Sequence, residues 1–599
     1  MDRNMCYTIY LFYYNIMGIP KFLNYLKANY NSSQWYYSQQ TENQNRKWDY
    51  LILDYQSLIY SNYNMFSNDI NYFIRMIHLE NSERLQYTTL INNIILKYKK
   101  YFQLLFNKTV TTNDIILLRE CNKYNDVDII METIVDIMVQ FTKDLSVFHN
   151  KTFVFFDGIP SIAKIKEQVG RRVYPEIMKE ITSKLIKSMS DCMEKTIRNK
   201  MVPEFPPTIA PGSLLVTKLR KVLIEENFFV NDIMLGEAEH IIMTYLEENK
   251  DHFKDKKILL ASPDADLILL SLINRTKGFD IDIMRINTNG YNEMDMNGFI
   301  ITKDYIYIDK LKDNMNLNNN QKIIDICYLL LLLGDDFVPI INGITIRALP
   351  TIIQTYENIH VPIINNNTII YNNLILYIKE LSKNINRLPQ KEQKRNFMLP
   401  FQEFQNYSKF FFIEKFCREN NKNFEIIQKI YFLNSGFINV NNKYISLLNH
   451  NNHNIHSDNN MIENYLEGCN FIFDLYINNT INDYRWFYQY EMAPTLQSLY
   501  QYMETHNLPK ITVQKKHYMN TMEYVKYVDR YKKSIILDTI HKINKKYHMK
   551  NSRKIVDEND YNKLKIKYLK YDNVKYLFNC DGKMYFNKCI VVTQPEIDF

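Results

Sequence analysis

The chain is 599 residues long, with 46% hydrophobic and 23% charged residues, which is the balance of a globular protein large enough for several domains. Its net charge of +7 is too mild to make the whole surface a nucleic-acid binder, so any such contact must come from local clusters. Eight cysteines without a CxxC pair or zinc-ligand spacing speak against a disulfide scaffold and for free thiols in a reducing compartment, and no run approaches the ~20 apolar residues that span a bilayer.

Residues 1–16 read as an N-terminal extension. Their aromatic run Cys6–Ile16 has no cleavage site for a signal peptide, and Met17 offers itself as the start. Met17-Gly18-Ile19-Pro20-Lys21-Phe22 opens an amphipathic helix to about Tyr30, and residues 31–47 are polar and loop-like. Trp48–Leu53 (WDYLIL) is a buried strand ending at Asp54, with a helix starting over Ser57–Tyr60. Residues 65–150 are mostly helical, with Asn-rich breaks and no motif.

The next strand is the aromatic run from Phe153, which stops at Asp157-Gly158. Pro160 and Ser161 supply helix-start chemistry. On that helix Lys164, Gln168, Arg171 and Arg172 fall at i, i+4, i+7 and i+8, an arc of roughly 80–100° at about 100° per residue. Three cations and an amide on one face can hold a phosphate. The ordinary alternative is a solvated basic face. Pro175 should end or kink this helix by removing a backbone donor, and Glu176–Lys200 reads as a long charged helix.

Prolines 203, 206, 207 and 211 mark a loop, followed by a helix over Ser213–Glu225 and a short strand over Asn227–Val230. The cluster Gly236-Glu237-Ala238-Glu239-His240 starts a helix that runs through Glu248. Lys257–Ala261 is a strand leading into Ser262-Pro263-Asp264-Ala265-Asp266 and the apolar helix Leu267–Leu272. Residues 278–308 are β-rich, and the apolar run Ile323–Leu333 ends in GDDFVP at 334–339. From 345 to 440 the pattern is helical. The Asn-rich stretch 449–460 is a low-complexity loop whose His450, His453 and His456 lack the second shell that fixes metal ligands. Residues 461–500 are strongly aromatic, and the tail from 505 is rich in Lys and Tyr.

Strands alternating with helices predict an α/β fold with a mostly parallel central sheet flanked by helices, followed by a helical, aromatic-rich C-terminal region. In such sheets ligands bind beyond the carboxyl ends of the strands. Asp54, Asp157, Asp264/Asp266 and Asp336 all follow apolar runs, which places them on one edge of one domain. With Glu237 and Glu239 they make seven carboxylates whose mutual repulsion calls for cations. Hard oxygen ligands suit Mg²⁺ or Mn²⁺, and two such ions about 3.5–4 Å apart would activate a water and steady the leaving oxygen in phosphodiester hydrolysis. For any single Asp a helix N-cap is the simpler reading. For all of them beside a Lys/Gln/Arg/Arg face it is not.

These motifs resemble, in order, those of the Xrn-type 5′→3′ exoribonucleases. MGIPKF at 17–22 looks like that family's N-terminal start, LILDYQSLIY at 51–60 its first-acid segment, and DGIPSIAKIKEQVGRR at 157–172 its DG…AK…Q..RR segment. GEAEH at 236–240, DADLI at 264–268 and GDDFVP supply the remaining acids, and WFYQYEMAP at 486–494 is similar to the family's WYYPYHYAP. The resemblance implies a 5′-nuclease (PIN-like) core over 17–345 with an insertion at about 65–150, a second region within 346–504, and a tail over 505–599. It implies that Asp54, Asp157, Glu237, Glu239, Asp264, Asp266 and Asp336 hold two Mg²⁺ or Mn²⁺ ions. Lys164, Gln168, Arg171 and Arg172 would then bind the 5′-monophosphate of single-stranded RNA, which is removed one nucleotide at a time. A closed pocket of that kind would exclude a cap or triphosphate by size. Tyr60 stands where the family has a stacking His, and Trp486 is either a second aromatic wall of the substrate channel or a core residue. Asp335 stands where the family often has Asn.

Two other readings compete. A flap-endonuclease-like DNA 5′-nuclease shares the acids, but it would carry paired glycines after the last acid pair, where this chain reads IINGITIRALPTIIQ. A non-catalytic RNA-binding scaffold would have lost acids, and all seven are present. The expectation is a monomeric cytoplasmic enzyme with no membrane partner.

Overall fold

The apolar runs before Asp54, Asp157 and Asp264 are adjacent parallel strands. In a computed structural model of the chain, β1 (Tyr36–Ser38), β2 (Tyr50–Asp54), β3 (Lys151–Phe155), β4 (Phe229–Val230), β5 (Lys257–Ala261), β6 (Asp280–Thr288) and β9 (Ile301–Ile306) form one sheet in the order β1-β9-β6-β5-β2-β3-β4. A short hairpin of β7 (Met294–Asp295) and β8 (Gly298–Phe299) lies between β6 and β9 in the chain. The structure describes residues 19, 22–38, 47–147, 149–158, 160–161, 163–164, 202, 209, 213–232, 236–288, 294–295, 298–299, 301–341, 344, 346–387, 459–481, 483, 486–488, 493–506, 574–575 and 591–592.

β2 is central. It pairs in parallel with β3 from Tyr50↔Lys151 to Asp54↔Phe155, and with β5 from Tyr50↔Ile258 to Leu53↔Ala261. β4 and β6 extend the parallel set, while β9 and β1 close one edge antiparallel. The centre reads as unbroken apolar runs because both faces are covered, so alternate side chains enter two different cores. Ile52, Phe153, Phe155, Ile258, Leu260 and Ile283 enter one, and Leu51, Leu53, Val154, Leu259 and Ala261 the other.

The helices divide between the faces in the same way. α1 (Phe22–Asn29), α8 (Ala238–Glu248), α9 (Asp266–Thr276) and α11 (Asn320–Leu331) contribute to the first core. So do α12 (Leu349–Ile359), α13 (Tyr371–Arg387), α14 (Asn459–Tyr476) and α15 (Leu496–Thr505), which brings the aromatic C-terminal stretch onto the same core as the sheet. The second core is built from α2 (Tyr55–Ile77), α3 (Thr88–Lys97), α4 (Lys99–Phe106), α5 (Ile115–Glu120), α6 (Val127–Ser146) and α7 (Leu214–Glu225). Helix α10 (Ile308–Asn314) follows β9. The motif-free stretch 65–146 therefore packs against the sheet itself.

Two local readings change. Residues 31–47, expected as a loop, contain β1, a three-residue edge strand whose Tyr36 hydroxyl donates to Asp304 on β9 and whose neighbour Trp35 is fully buried. The run Ile323–Leu333 belongs to a helix and the turn after it, so Asp336 follows a helix end while Asp54 and Asp157 follow strand ends. Among the described residues no helix is long and apolar enough to cross a membrane. Residues 1–16, the helix expected over Glu176–Lys200, the histidines at 450, 453 and 456, and all of the tail beyond 506 except two short strands lie outside the described residues.

Candidate active site

Parallel register brings the acids together. Asp54 closes β2, Asp157 lies two residues past the end of β3, and Asp264 lies three past the end of β5, so the three strands open onto one rim. Asp54 is 3% exposed, and its Oδ2 accepts a 2.6 Å hydrogen bond from Ser262 Oγ. The same hydroxyl accepts the Asp264 N–H at 3.1 Å, so Ser262 ties the first acid to the turn carrying the next. Burial pushes the Asp54 carboxyl up to about 6, Asp264 adds to the rise, and the Ser262 bond opposes it.

Asp157 and Glu237 are joined by backbone stitching. Gly158 N–H donates to Gly236 O at 2.8 Å, where Gly236 takes a φ of +102°, a value that favours glycine. Asp157 Oδ1 accepts the Ala238 N–H at 2.8 Å, placing its carboxylate at the α8 N-terminus, where free backbone donors and the helix dipole favour negative charge. Burial, then Glu237 and Asp54, push Asp157 up to about 8. Glu237 is raised by burial and pulled back by Lys164, and Glu239, in the first turn of α8, is raised well above the ordinary value by burial and then by Asp264. Next to it, burial drops His240 to about 3, so the imidazole 3.6 Å from Glu239 is neutral.

Asp264 Oδ1 accepts the Asp266 N–H at 3.0 Å at the start of α9. Asp266 is itself held from two distant parts of the chain: Oδ1 accepts the Ile19 N–H at 3.2 Å and Oδ2 the Tyr476 hydroxyl at 3.0 Å. Arg285 on β6 donates from Nε and Nη2 to Pro263 O, pinning the turn between Ser262 and Asp264. The last acids come from GDDFVP. Gly334 has φ +88°, and a Cβ there would meet Ile340 N at 2.7 Å, so only glycine allows this tight reversal. Asp335 Oδ1 accepts the Phe337 and Val338 N–H groups at 2.8 and 2.7 Å, a turn-capping job that an Asn oxygen would also perform, and Asp336 projects to the rim.

Lys164 connects the two ends of this set. Its Nζ lies 2.7 Å from Glu237 Oε1 and 2.7 Å from Asp336 Oδ2, and its side chain is 4% exposed. The sequence places Lys164 on a phosphate-binding face, whereas here its ammonium sits among the acids. Its presumed companions Gln168, Arg171 and Arg172 lie outside the described residues. Among the described residues no three His, Cys, Asp or Glu side chains are arranged as a metal cage. The acids are held by Lys164 and by hydroxyl and backbone donors.

The two aromatic candidates flank different parts of the fold. Tyr60 is half-buried on α2 and packs on the second core. Trp486 is half-buried, stacks on Phe471 with centroids 4.7 Å apart, and lies against Gly468, where a Cβ would meet its ring at 3.0 Å. Phe471 in turn meets Phe337, whose ring is 5.9 Å from Lys164 Nζ. The row Trp486–Phe471–Phe337 thus runs from the C-terminal region to the acid rim. Ser262, Arg285, Ile19 and Tyr476 were not among the residues singled out from sequence. Only the Ser-Pro preceding DAD gave a local hint of the first.

None of the curated proteins matches the chain. A family model described as XRN 5′-3′ exonuclease N-terminus matches residues 103–286, the stretch that contains Asp157, Lys164, Glu237, Glu239, Asp264 and Asp266. Over these residues the chain is similar to the N-terminal part of the XRN 5′-3′ exonucleases, in keeping with an α/β core whose acids meet at one sheet edge.

Proposed function

We propose that the chain hydrolyses 5′-monophosphorylated single-stranded RNA from its 5′ end, releasing mononucleotides, with two Mg²⁺ or Mn²⁺ ions held by Asp54, Asp157, Glu237, Glu239, Asp264, Asp266 and Asp336. The observation that carries this reading is the gathering of those carboxylates, buried or half-buried and with Asp54, Asp157, Glu237 and Glu239 raised in pKa, on the strand-end rim with Lys164 as a close ion-pair partner of Glu237 and Asp336. Buried like charges need compensating cations, and an all-oxygen donor set suits hard divalent ions. Such ions would supply a nucleophilic water at neutral pH and charge stabilisation for the departing oxygen.

The chain's own residues do the rest. Ser262, the α8 N-terminus and Tyr476 fix the directions in which Asp54, Asp157 and Asp266 present their oxygens. Lys164 at the rim would hold a terminal phosphate beside the carboxylates, with Gln168, Arg171 and Arg172 on the same predicted helix face. Each charge-assisted bond to it would contribute about 1.5–3 kcal/mol. Exposed bases can stack on Tyr60 or Trp486 for about 1–3 kcal/mol each.

The test compares one RNA carrying a 5′-monophosphate, 5′-triphosphate or 5′-hydroxyl, and a matched DNA, with the wild type and with Asp264→Asn in Mg²⁺. Preferential loss of the monophosphorylated RNA as mononucleotides, abolished in the variant, is the expected result. Equal cleavage of DNA flaps would move the protein to the flap-nuclease class, and binding without cleavage would leave a scaffold.

A further inference from the structure

We infer that Tyr476 is a positioning residue of the metal site, so that the affinity of the acid rim for divalent cations depends on a helix more than two hundred residues downstream. This inference rests on the reading of the acids as cation ligands.

Tyr476 is the last residue of α14 and is fully buried. Its hydroxyl donates to Asp266 Oδ2 at 3.0 Å across 210 residues of sequence. The other oxygen of that carboxylate takes the Ile19 N–H, so both oxygens of Asp266 are oriented by segments outside its own strand and helix. The Tyr476 ring also meets His240 edge-on at 5.4 Å, on the helix that carries Glu239.

The end of α14 is fastened to both acid-bearing helices. Lys277 Nζ, just past α9, donates to Ile477 O at 3.1 Å, and Asn479 Nδ2 donates to Glu247 Oε1 at 2.9 Å on α8. Thr244 Oγ1, also on α8, reaches Asn479 O at 3.5 Å. These bonds fix the Tyr476 hydroxyl relative to α8 and α9 together. A buried donor so placed orients a ligating carboxylate and lowers the entropy it would lose on capturing a cation. Outer partners of this kind typically change metal affinity 10–100-fold when removed.

The α14 helix carries its own control. Tyr465 is also fully buried, and its hydroxyl has no hydrogen-bond partner among the described residues. Tyr476→Phe and Tyr465→Phe each delete one buried hydroxyl from the same helix and leave the ring in place. Only the first removes a bond to an acid.

The experiment titrates Mn²⁺ into full-length wild type, Tyr476→Phe and Tyr465→Phe by calorimetry at neutral pH, alongside thermal unfolding in EDTA. The expected result is a tenfold or greater weakening of Mn²⁺ binding in Tyr476→Phe and none in Tyr465→Phe, with both variants folded in EDTA. Unchanged Mn²⁺ affinity in Tyr476→Phe, or equal weakening in both variants, overturns the inference, as does a wild type that binds no Mn²⁺. Because the readout is binding, a wild type that binds Mn²⁺ but cleaves no RNA would refute the proposed activity while leaving the role of Tyr476 intact.

Discussion

Replacing Lys164 with methionine removes the only ammonium within ion-pair distance of the acids among the described residues while keeping a side chain of similar length. The wild-type Nζ makes two 2.7 Å ion pairs, with Glu237 at 11% side-chain exposure and Asp336 at 4%. Breaking a buried pair by deleting one partner costs about 3–5 kcal/mol, because the remaining charge stays buried and uncompensated. Here two carboxylates lose the same cation, so the upper part of that range, about 4–5 kcal/mol, is expected in the metal-free protein. Divalent cations bound only by the folded state would add about 3 kcal/mol to wild type and variant alike at a hundredfold excess over their dissociation constant. The assay is urea denaturation of wild type and Lys164→Met in EDTA and in millimolar Mn²⁺. The variant should be clearly less stable in EDTA, and Mn²⁺ should stabilise both proteins. Equal stability in EDTA would mean that the two ion pairs contribute nothing, and a failure of Mn²⁺ to stabilise either protein would mean that the rim does not take cations.

Two further outcomes follow from the same site. Asp54 and Asp157 have folded pKa values raised to about 6 and about 8, so the folded state keeps protons that the unfolded chain releases near pH 4. Stability from those protons is fully present below pH ~4 and lost as pH rises through 6 and 8, about 3 kcal/mol of it from Asp54 alone. Metal-free thermal stability should therefore fall over that interval, and Asp157→Asn should flatten the fall; parallel curves would refute the assignment. Ser262→Ala removes the donor to Asp54 and orphans the Asp264 N–H, which raises the Asp54 pKa further. Mn²⁺ titration should show several-fold weaker binding at pH 7 and a smaller deficit at pH 9, and wild-type affinity at both values would rule out the link.

What could be read from sequence follows from the range of the forces involved. β2, β3 and β5 are covered on both faces, so each is a near-continuous apolar run that stops where the chain meets the open rim, and the first acidic residues there are Asp54, Asp157 and the 264–266 pair. That signal is local. The donors that aim the acids are not local: Ser262 acts on Asp54 across 208 residues, Tyr476 on Asp266 across 210, and Ile19 on Asp266 across 247. Each looks in sequence like any Ser, Tyr or backbone amide. β1 escaped because three residues at a sheet edge carry too little periodicity to detect, and because its pairing partner is β9, far along the chain. The helices within 65–146 yielded no motif because they supply packing, with Phe66, Phe73, Tyr101 and Tyr124 filling the core behind the sheet.

Taken together, these contacts separate where the carboxylates stand from how their charge is balanced. The Ser262 hydroxyl, the Ala238, Asp266 and Ile19 amides and the Tyr476 hydroxyl each occupy one oxygen of an acid, whereas an ionised carboxylate offers about four acceptor positions. Those bonds fix orientation without cancelling charge. Among the described residues Lys164 pairs directly with Glu237 and Asp336, and Arg285 adds a cation beside Asp264. The remaining negative charge can be removed by protonation, which the raised values of Asp54 and Asp157 describe, or offset by bound cations. The two routes compete: cations require the ionised form, so binding releases protons and strengthens as pH rises through the interval where the metal-free protein weakens. Opposite pH trends for metal-free stability and for Mn²⁺ affinity are therefore one consequence of a single carboxylate cluster, and parallel trends would mean that the acids are structural.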